Sequence, residues 1–158
     1  MPRLAHFILV EAPIDRVFAF VSDYRNLPRM QTEFKTVRLL SAQASGLGAR
    51  VEARGVFHGL PLTTQLTIVG YEPPLLLASQ TSGGIRSHAT WSFRAEPDAF
   101  PPGPGVRVTL VIDYTIAIPG LALLGGFVHR DLDALTMASL RRLKALVEGA
   151  ATPGAGVG

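Results

Sequence analysis

The chain of 158 residues contains no cysteine. That excludes disulfides, thiolate catalysis and cysteine-ligated zinc or iron–sulfur sites. It also fits a reducing compartment. Charge is scarce as well: 17% of residues are Asp, Glu, Lys or Arg, against a norm of about 25%. The four histidines, His6, His58, His88 and His129, are well separated and none is paired at i,i+4. No metal site is expected from them. No glycine-rich phosphate cradle occurs, and no cofactor is expected. The longest uncharged stretch, 114–128, contains Pro119, Gly120, Gly125 and Gly126. It falls short of the ~20 residues that span a bilayer. The opening Met1-Pro2-Arg3-Leu4 leads into an alternating segment, unlike the apolar core of a signal peptide. The expected location is the cytoplasm.

Apolar residues are ample at 47%. A chain of this length is enough for one domain and buries roughly 68–70% of its unfolded surface. The surplus of apolar over charged residues implies a large core or apolar surface kept for another use. The net charge of +3 and a pI near 9.8 invite a nucleic-acid reading. The arginines are scattered, however, and Arg50, Arg54, Arg94 and Arg107 alternate with apolar residues like the wet side of strands. No nucleic-acid partner is expected.

Periodicity orders the chain. Residues 4–11 alternate as a strand. Pro13 and Asp15 open a helix whose apolar side is Val17, Phe18, Phe20 and Val21. A second short helical segment follows near 28–32. Strands are predicted over 34–43, 49–58, 62–71, 75–81, 85–95 and 106–117, joined by short turns, which makes the sheet antiparallel. A long amphipathic helix starts between Gly120 and Gly126 and is stopped by Gly149. Its apolar face carries Leu121, Leu124, Val128, Leu132, Leu135, Ser139, Leu143 and Leu146, with Arg130, Met137, Arg141 and Lys144 opposite. The last residues, 150–158, are small or proline and are expected to be disordered.

The expected fold is α+β: about seven antiparallel strands, two short helices after the first, and one long C-terminal helix. A helix about 10 Å wide cannot cover so broad a sheet, so the sheet must curl around it. Side chains then fill the remaining space or leave a cavity.

The segments Glu11-Ala12-Pro13-Ile14-Asp15-Arg16-Val17-Phe18 and Val21-Ser22-Asp23-Tyr24-Arg25-Asn26-Leu27-Pro28 resemble the opening of the SRPBCC superfamily. This group is also called START-like or polyketide cyclase/dehydrase-like. Gly46-Leu47-Gly48-Ala49-Arg50, Tyr71-Glu72-Pro73-Pro74, Trp91-Ser92-Phe93, Gly105-Val106-Arg107-Val108-Thr109 and Ser139-Leu140-Arg141-Arg142-Leu143-Lys144 follow in the same order as similar segments in that group. The resemblance covers about 4–148 and implies a helix-grip fold with a ligand cavity between sheet and last helix. Residues 1–149 are then one START-like domain. The group includes lipid carriers, hormone receptors, quinone binders and aromatic-ring cyclases, so the resemblance implies no single activity.

The expected cavity lining is Trp91, Phe93, Leu110, Ile112 and Tyr114, joined by Phe57, Leu66, Ile68 and Leu77 from other strands. Val128, Leu132 and Leu135 complete it from the helix. Such a pocket suits a lipid-, quinone- or polyketide-like molecule. Alternation places Arg86, His88 and Asp113 outside, so no Ser–His–Asp arrangement forms. His129-Arg130-Asp131 spells a kinase tripeptide without its companion motifs and is read as coincidence. Two functions compete. One is a binding or transport protein for a hydrophobic small molecule. The alternative is a polyketide cyclase or dehydratase using the same cavity, with Tyr114 and His6 handling protons. A third reading, a macromolecular partner, rests on the pI alone. The apolar stretch 116–128 is a candidate gate for transient contact with a membrane or donor protein.

Overall fold

The computed structural model describes residues 2–118 and 120–150. The expected tail therefore lies, beyond Ala150, outside the described residues. The order of elements is β1 (Arg3–Val10), α1 (Ile14–Ser22), a 3-10 turn (Tyr24–Asn26), α2 (Leu27–Met30), β2 (Phe34–Leu39) and β3 (Arg50–Phe57). It continues with β4 (Leu60–Glu72), β5 (Leu76–Gly83), β6 (Ile85–Ala95), β7 (Val106–Ile116), a second 3-10 turn (Leu121–Leu124) and α3 (Gly125–Ala150). The strands form one curled antiparallel sheet in the order β1-β7-β6-β5-β4-β3-β2.

Period-two alternation sets the register. In β3, Val51, Ala53 and Phe57 are buried while Arg50 and Arg54 face water. In β4, Leu62, Thr64, Leu66 and Ile68 all turn inward. Sliding either strand by one residue would move that whole set to solvent. Gly55 is required by a close approach: a Cβ there would stand 1.8 Å from the Glu33 carbonyl oxygen. The main chain entering β2 is thereby seated directly over β3.

Local chemistry also explains the connection between β1 and β2. Pro13 occupies the N-cap of α1 and Asp15 sits in its first turn, where a negative charge meets the positive end of the helix dipole. Asp23 then accepts a hydrogen bond from the Arg25 backbone N–H at 3.0 Å, which starts the 3-10 turn. Val17, Phe18 and Val21 of α1 are buried. Phe18 meets the rings of Tyr71 and Phe93 edge-on at 5.4 and 5.3 Å. Each such side chain contributes about 1.5–3 kcal/mol on burial.

The helix stripe differs from the sequence expectation. Leu124 is 52% exposed, whereas Leu140 is fully buried with Leu143 and Val147. Met137 packs on the core, and the Lys144 ammonium reaches back to donate to the Leu9 carbonyl at 3.0 Å. A straight helix crossing a twisted sheet presents a different azimuth at each end, and a lysine stem lies readily along apolar surface. Gly149 does not stop α3, which continues to Ala150. The strand predicted over 34–43 ends at Leu39.

Candidate functional site

Two buried clusters form between sheet and α3. The larger holds the core under α1. The smaller joins Phe57, Leu62, Leu121 and Val128 near the start of α3. A cavity of about 150 Å³ draws its walls from both. On the sheet side it meets Phe57 of β3, Leu62, Thr64 and Leu66 of β4, and Leu77, Ser79 and Thr81 of β5. Ile85, Ser87, Ala89 and Trp91 of β6 and Leu110, Ile112 and Tyr114 of β7 continue that wall. Leu132, Leu135, Thr136 and Ser139 of α3 face them, and the β1–β2 connection adds Tyr24, Leu27, Met30 and Glu33.

Nine of the expected residues therefore meet in one place: Phe57, Leu66, Leu77, Trp91, Leu110, Ile112, Tyr114, Leu132 and Leu135. Three do not line it. Ile68 and Phe93 lie one alternation step farther along β4 and β6, where α1 covers the sheet and fills the space. Val128 packs against Phe57, Leu62 and Leu121 at the opposite end. Alternation fixes which face a residue occupies, and the helices decide where along that face the hollow lies. His6 is also outside the lining. Its Nε2 sits 2.6 Å from an Asp133 carboxylate oxygen on α3.

Most polar groups of the wall are satisfied within the fold. Thr64 donates to the Ser82 carbonyl at 2.5 Å, and Thr136 and Ser139 donate back along α3 to Leu132 and Leu135. Thr81 and Ser87 share a hydrogen bond of 2.7 Å. The Tyr114 hydroxyl lies 2.6 Å from Nδ1 of His129, with the two rings stacked at 22°. Burial raises the Tyr114 hydroxyl above its ordinary range. No sequence signal pointed to this pairing, because 15 positions separate the two residues and only α3 docking joins them.

Among the described residues, two side-chain polar atoms are buried without a hydrogen-bond partner: the Tyr24 hydroxyl oxygen and Glu33 Oε2. Each such orphan costs about 1–3 kcal/mol. Burial pushes the Tyr24 hydroxyl up to about 12, opposed by the neighbouring Ser79 hydroxyl, which stands close by without reaching ordinary hydrogen-bond geometry. Burial also raises the Glu33 carboxyl, opposed by its own backbone N–H and by the charges of Arg142 and Lys35. Neither residue was singled out from sequence. Glu33 falls in the short link between α2 and β2, where no periodicity operates.

A second, surface cleft of about 470 Å³ shares Glu33, Phe57 and Leu135 with the cavity, so these three side chains stand between the two. His58 and Asp131 pair at 2.6 Å on its rim. The His58–Asp131 and His6–Asp133 pairs tie the first half of α3 to the sheet. Both are partly exposed, so each contributes at most about 1 kcal/mol. Leu123, Leu124 and Phe127 are 90, 52 and 64% exposed at the start of α3, and the Arg130 guanidinium lies 5.7 Å over the Phe127 ring. Among the described residues no group of three or more His, Asp or Glu could hold a metal ion. No helix among them is long and apolar enough to cross a membrane.

A curled seven-stranded antiparallel sheet gripping a long C-terminal helix defines the helix-grip fold of the SRPBCC superfamily. More narrowly, the chain belongs to the polyketide cyclase / dehydrase and lipid transport family, whose model matches residues 1–148. Solved structures agree in fold. TTHA0849 from Thermus thermophilus is 21% identical, with a TM-score of 0.75 over 96% of this chain and 100% of that one. The Zhui aromatase/cyclase from Streptomyces sp. R1128 is 14% identical, with a TM-score of 0.76 over 94% of each chain. The di-domain ARO/CYC BexL from the BE-7585A biosynthetic pathway is 22% identical, with a TM-score of 0.69 over 97% of this chain and 48% of that one. Identities this low establish likeness of fold alone. No curated protein matches the chain.

Proposed function

We propose that the protein is a cytoplasmic carrier or sensor that binds a hydrophobic, ring-containing small molecule between sheet and α3. One observation carries the reading: aromatic and aliphatic side chains from all seven strands, α3 and the β1–β2 connection converge on one hollow that they do not fill. An apolar cavity of about 150 Å³ takes a guest of roughly benzene size. A quinone- or polyketide-like ligand would place one ring inside and keep its remainder near the shared wall with the surface cleft. Burying about 300 Å² of apolar ligand surface contributes roughly 7–8 kcal/mol before ordering costs. Trp91 is the only tryptophan and lines the cavity, so its emission reports occupancy directly. Menadione, a two-ring quinone, is expected to quench Trp91 saturably at micromolar concentration. A quench that stays linear with concentration, as for random collisions, counts against the site.

A second reading, a cyclase or dehydratase, is favoured by the Tyr114–His129 pair. The hydroxyl stands on the cavity wall, and the imidazole that holds it reaches the half-exposed side of α3. That arrangement can pass a proton between an enclosed substrate and solvent. His6 takes no part in it, because its ring is engaged by Asp133. Turnover of a linear poly-β-ketone that falls at least tenfold in Tyr114→Phe supports this reading, and unchanged turnover removes it. The exposed Leu123, Leu124 and Phe127 support the transient membrane or donor-protein contact, which co-flotation with phospholipid vesicles checks.

A further inference from the structure

The hydroxyls of Thr64, Thr81, Ser87, Tyr114, Thr136 and Ser139 on the cavity wall are satisfied locally. Tyr24 Oη and Glu33 Oε2 are buried and unbonded, and both residues line the same hollow. Both belong to the β1–β2 connection. Their main chain is firmly held. The Tyr24 N–H donates to the Ala44 carbonyl at 3.2 Å, and the Glu33 carbonyl accepts from the Val56 N–H at 3.1 Å. The absent side chain of Gly55 leaves room for that Glu33 carbonyl and for no side chain. Fixed backbone thus brings a carboxyl and a phenol from the β1–β2 connection to a largely apolar space, where Tyr24 Oη and Glu33 Oε2 each lack a hydrogen bond of ordinary geometry. Native proteins keep few such groups, and each calls for an explanation. Two in one cavity point to an occupant.

We propose that this pair is a polar recognition site, in which Glu33 accepts a hydrogen bond from a ligand hydroxyl and Tyr24 donates one to a ligand oxygen. The inference rests on the reading of the cavity as a ligand site and narrows its ligand to a hydroxylated ring. The apolar faces of the ring meet Leu77, Trp91 and Leu110. Its polar edge meets Glu33 and Tyr24. A ring hydroxyl can both donate to a carboxylate oxygen and accept from a phenol, so it matches either group. A site built around a substrate hydroxyl discriminates against the analogue that lacks it.

Resorcinol and m-xylene test the proposal, because the second replaces two hydroxyls by two methyls on the same ring. Their affinities for the full chain, for Tyr24→Phe and for Glu33→Leu are read by NMR titration. Each substitution is expected to weaken resorcinol about tenfold, the loss of one hydrogen bond, while m-xylene binds as well or better. Tyr24→Phe removes a single oxygen and keeps the ring, so the test survives if Glu33→Leu fails to fold. Equal changes for both probes, or unchanged resorcinol binding because a water satisfies the two groups, overturn the proposal while leaving the cavity reading standing. So does a native chain that binds m-xylene and rejects resorcinol. A native chain that binds neither overturns both.

Discussion

Filling the cavity should stabilise the protein and abolish binding together. Ala89 lies in the middle of β6, opposite Ile112 of β7 and Ser79 of β5, and all three line the hollow. Ala89→Leu adds three carbons into that space. A cavity of about 150 Å³, at about 24 cal/mol per Å³, sets a ceiling of roughly 3.6 kcal/mol. Three newly buried carbons at about 0.8 kcal/mol each give roughly 2.4 kcal/mol, which falls below that ceiling. Rotamer strain of about 1 kcal/mol against Trp91 and Leu110 leaves a net gain of about 1–2 kcal/mol. Urea unfolding reads this as a higher midpoint with the same slope. The same variant should lose at least tenfold in menadione affinity by Trp91 emission. A midpoint that falls by the equivalent of 1 kcal/mol or more would mean that Ala89 is already close-packed and that no hollow exists there.

Three further outcomes follow from named contacts. Burial raises the Glu33 carboxyl above 4.5, so the stability tied to its protonation is present below that value and is lost as pH rises through the folded-state value. Glu33→Gln removes the loss, and its stability relative to the native chain should rise between pH 4 and 7; parallel curves refute the assignment. Tyr114→Phe should cost about 0.5–1.5 kcal/mol by removing the bond to His129, and chemical denaturation checks it. Gly55→Ala forces a methyl onto the Glu33 carbonyl and should cost about 1–3 kcal/mol, whereas a change within 0.5 kcal/mol would mean that the two backbones do not touch.

The sheet was legible because alternation is a local signal with a physical cause. Val108, Leu110 and Tyr114 could be assigned to the buried face from β7 alone, and the same holds for Val51, Ala53 and Phe57 in β3. The position of the hollow along that face was not legible. Phe93 and Trp91 are two residues apart on the same face, and only the docking of Phe18 distinguishes filled core from cavity wall. The polar features escaped for the same reason. His129 acquires its role from a strand elsewhere in the sequence, and Glu33 and Tyr24 sit in short, aperiodic links whose burial depends on what packs over them. Leu140 was missed on α3 because the facing stripe shifts as a straight helix crosses a curved sheet.

The central claim is that the cavity carries a small molecule. Native mass spectrometry of the chain and of Ala89→Leu, purified side by side from the cells that make it, tests that claim most directly. The native chain should retain a discrete hydrophobic compound that releases on unfolding, and the filled variant should fly as bare protein. The same adduct on both proteins, or on neither, would contradict the account.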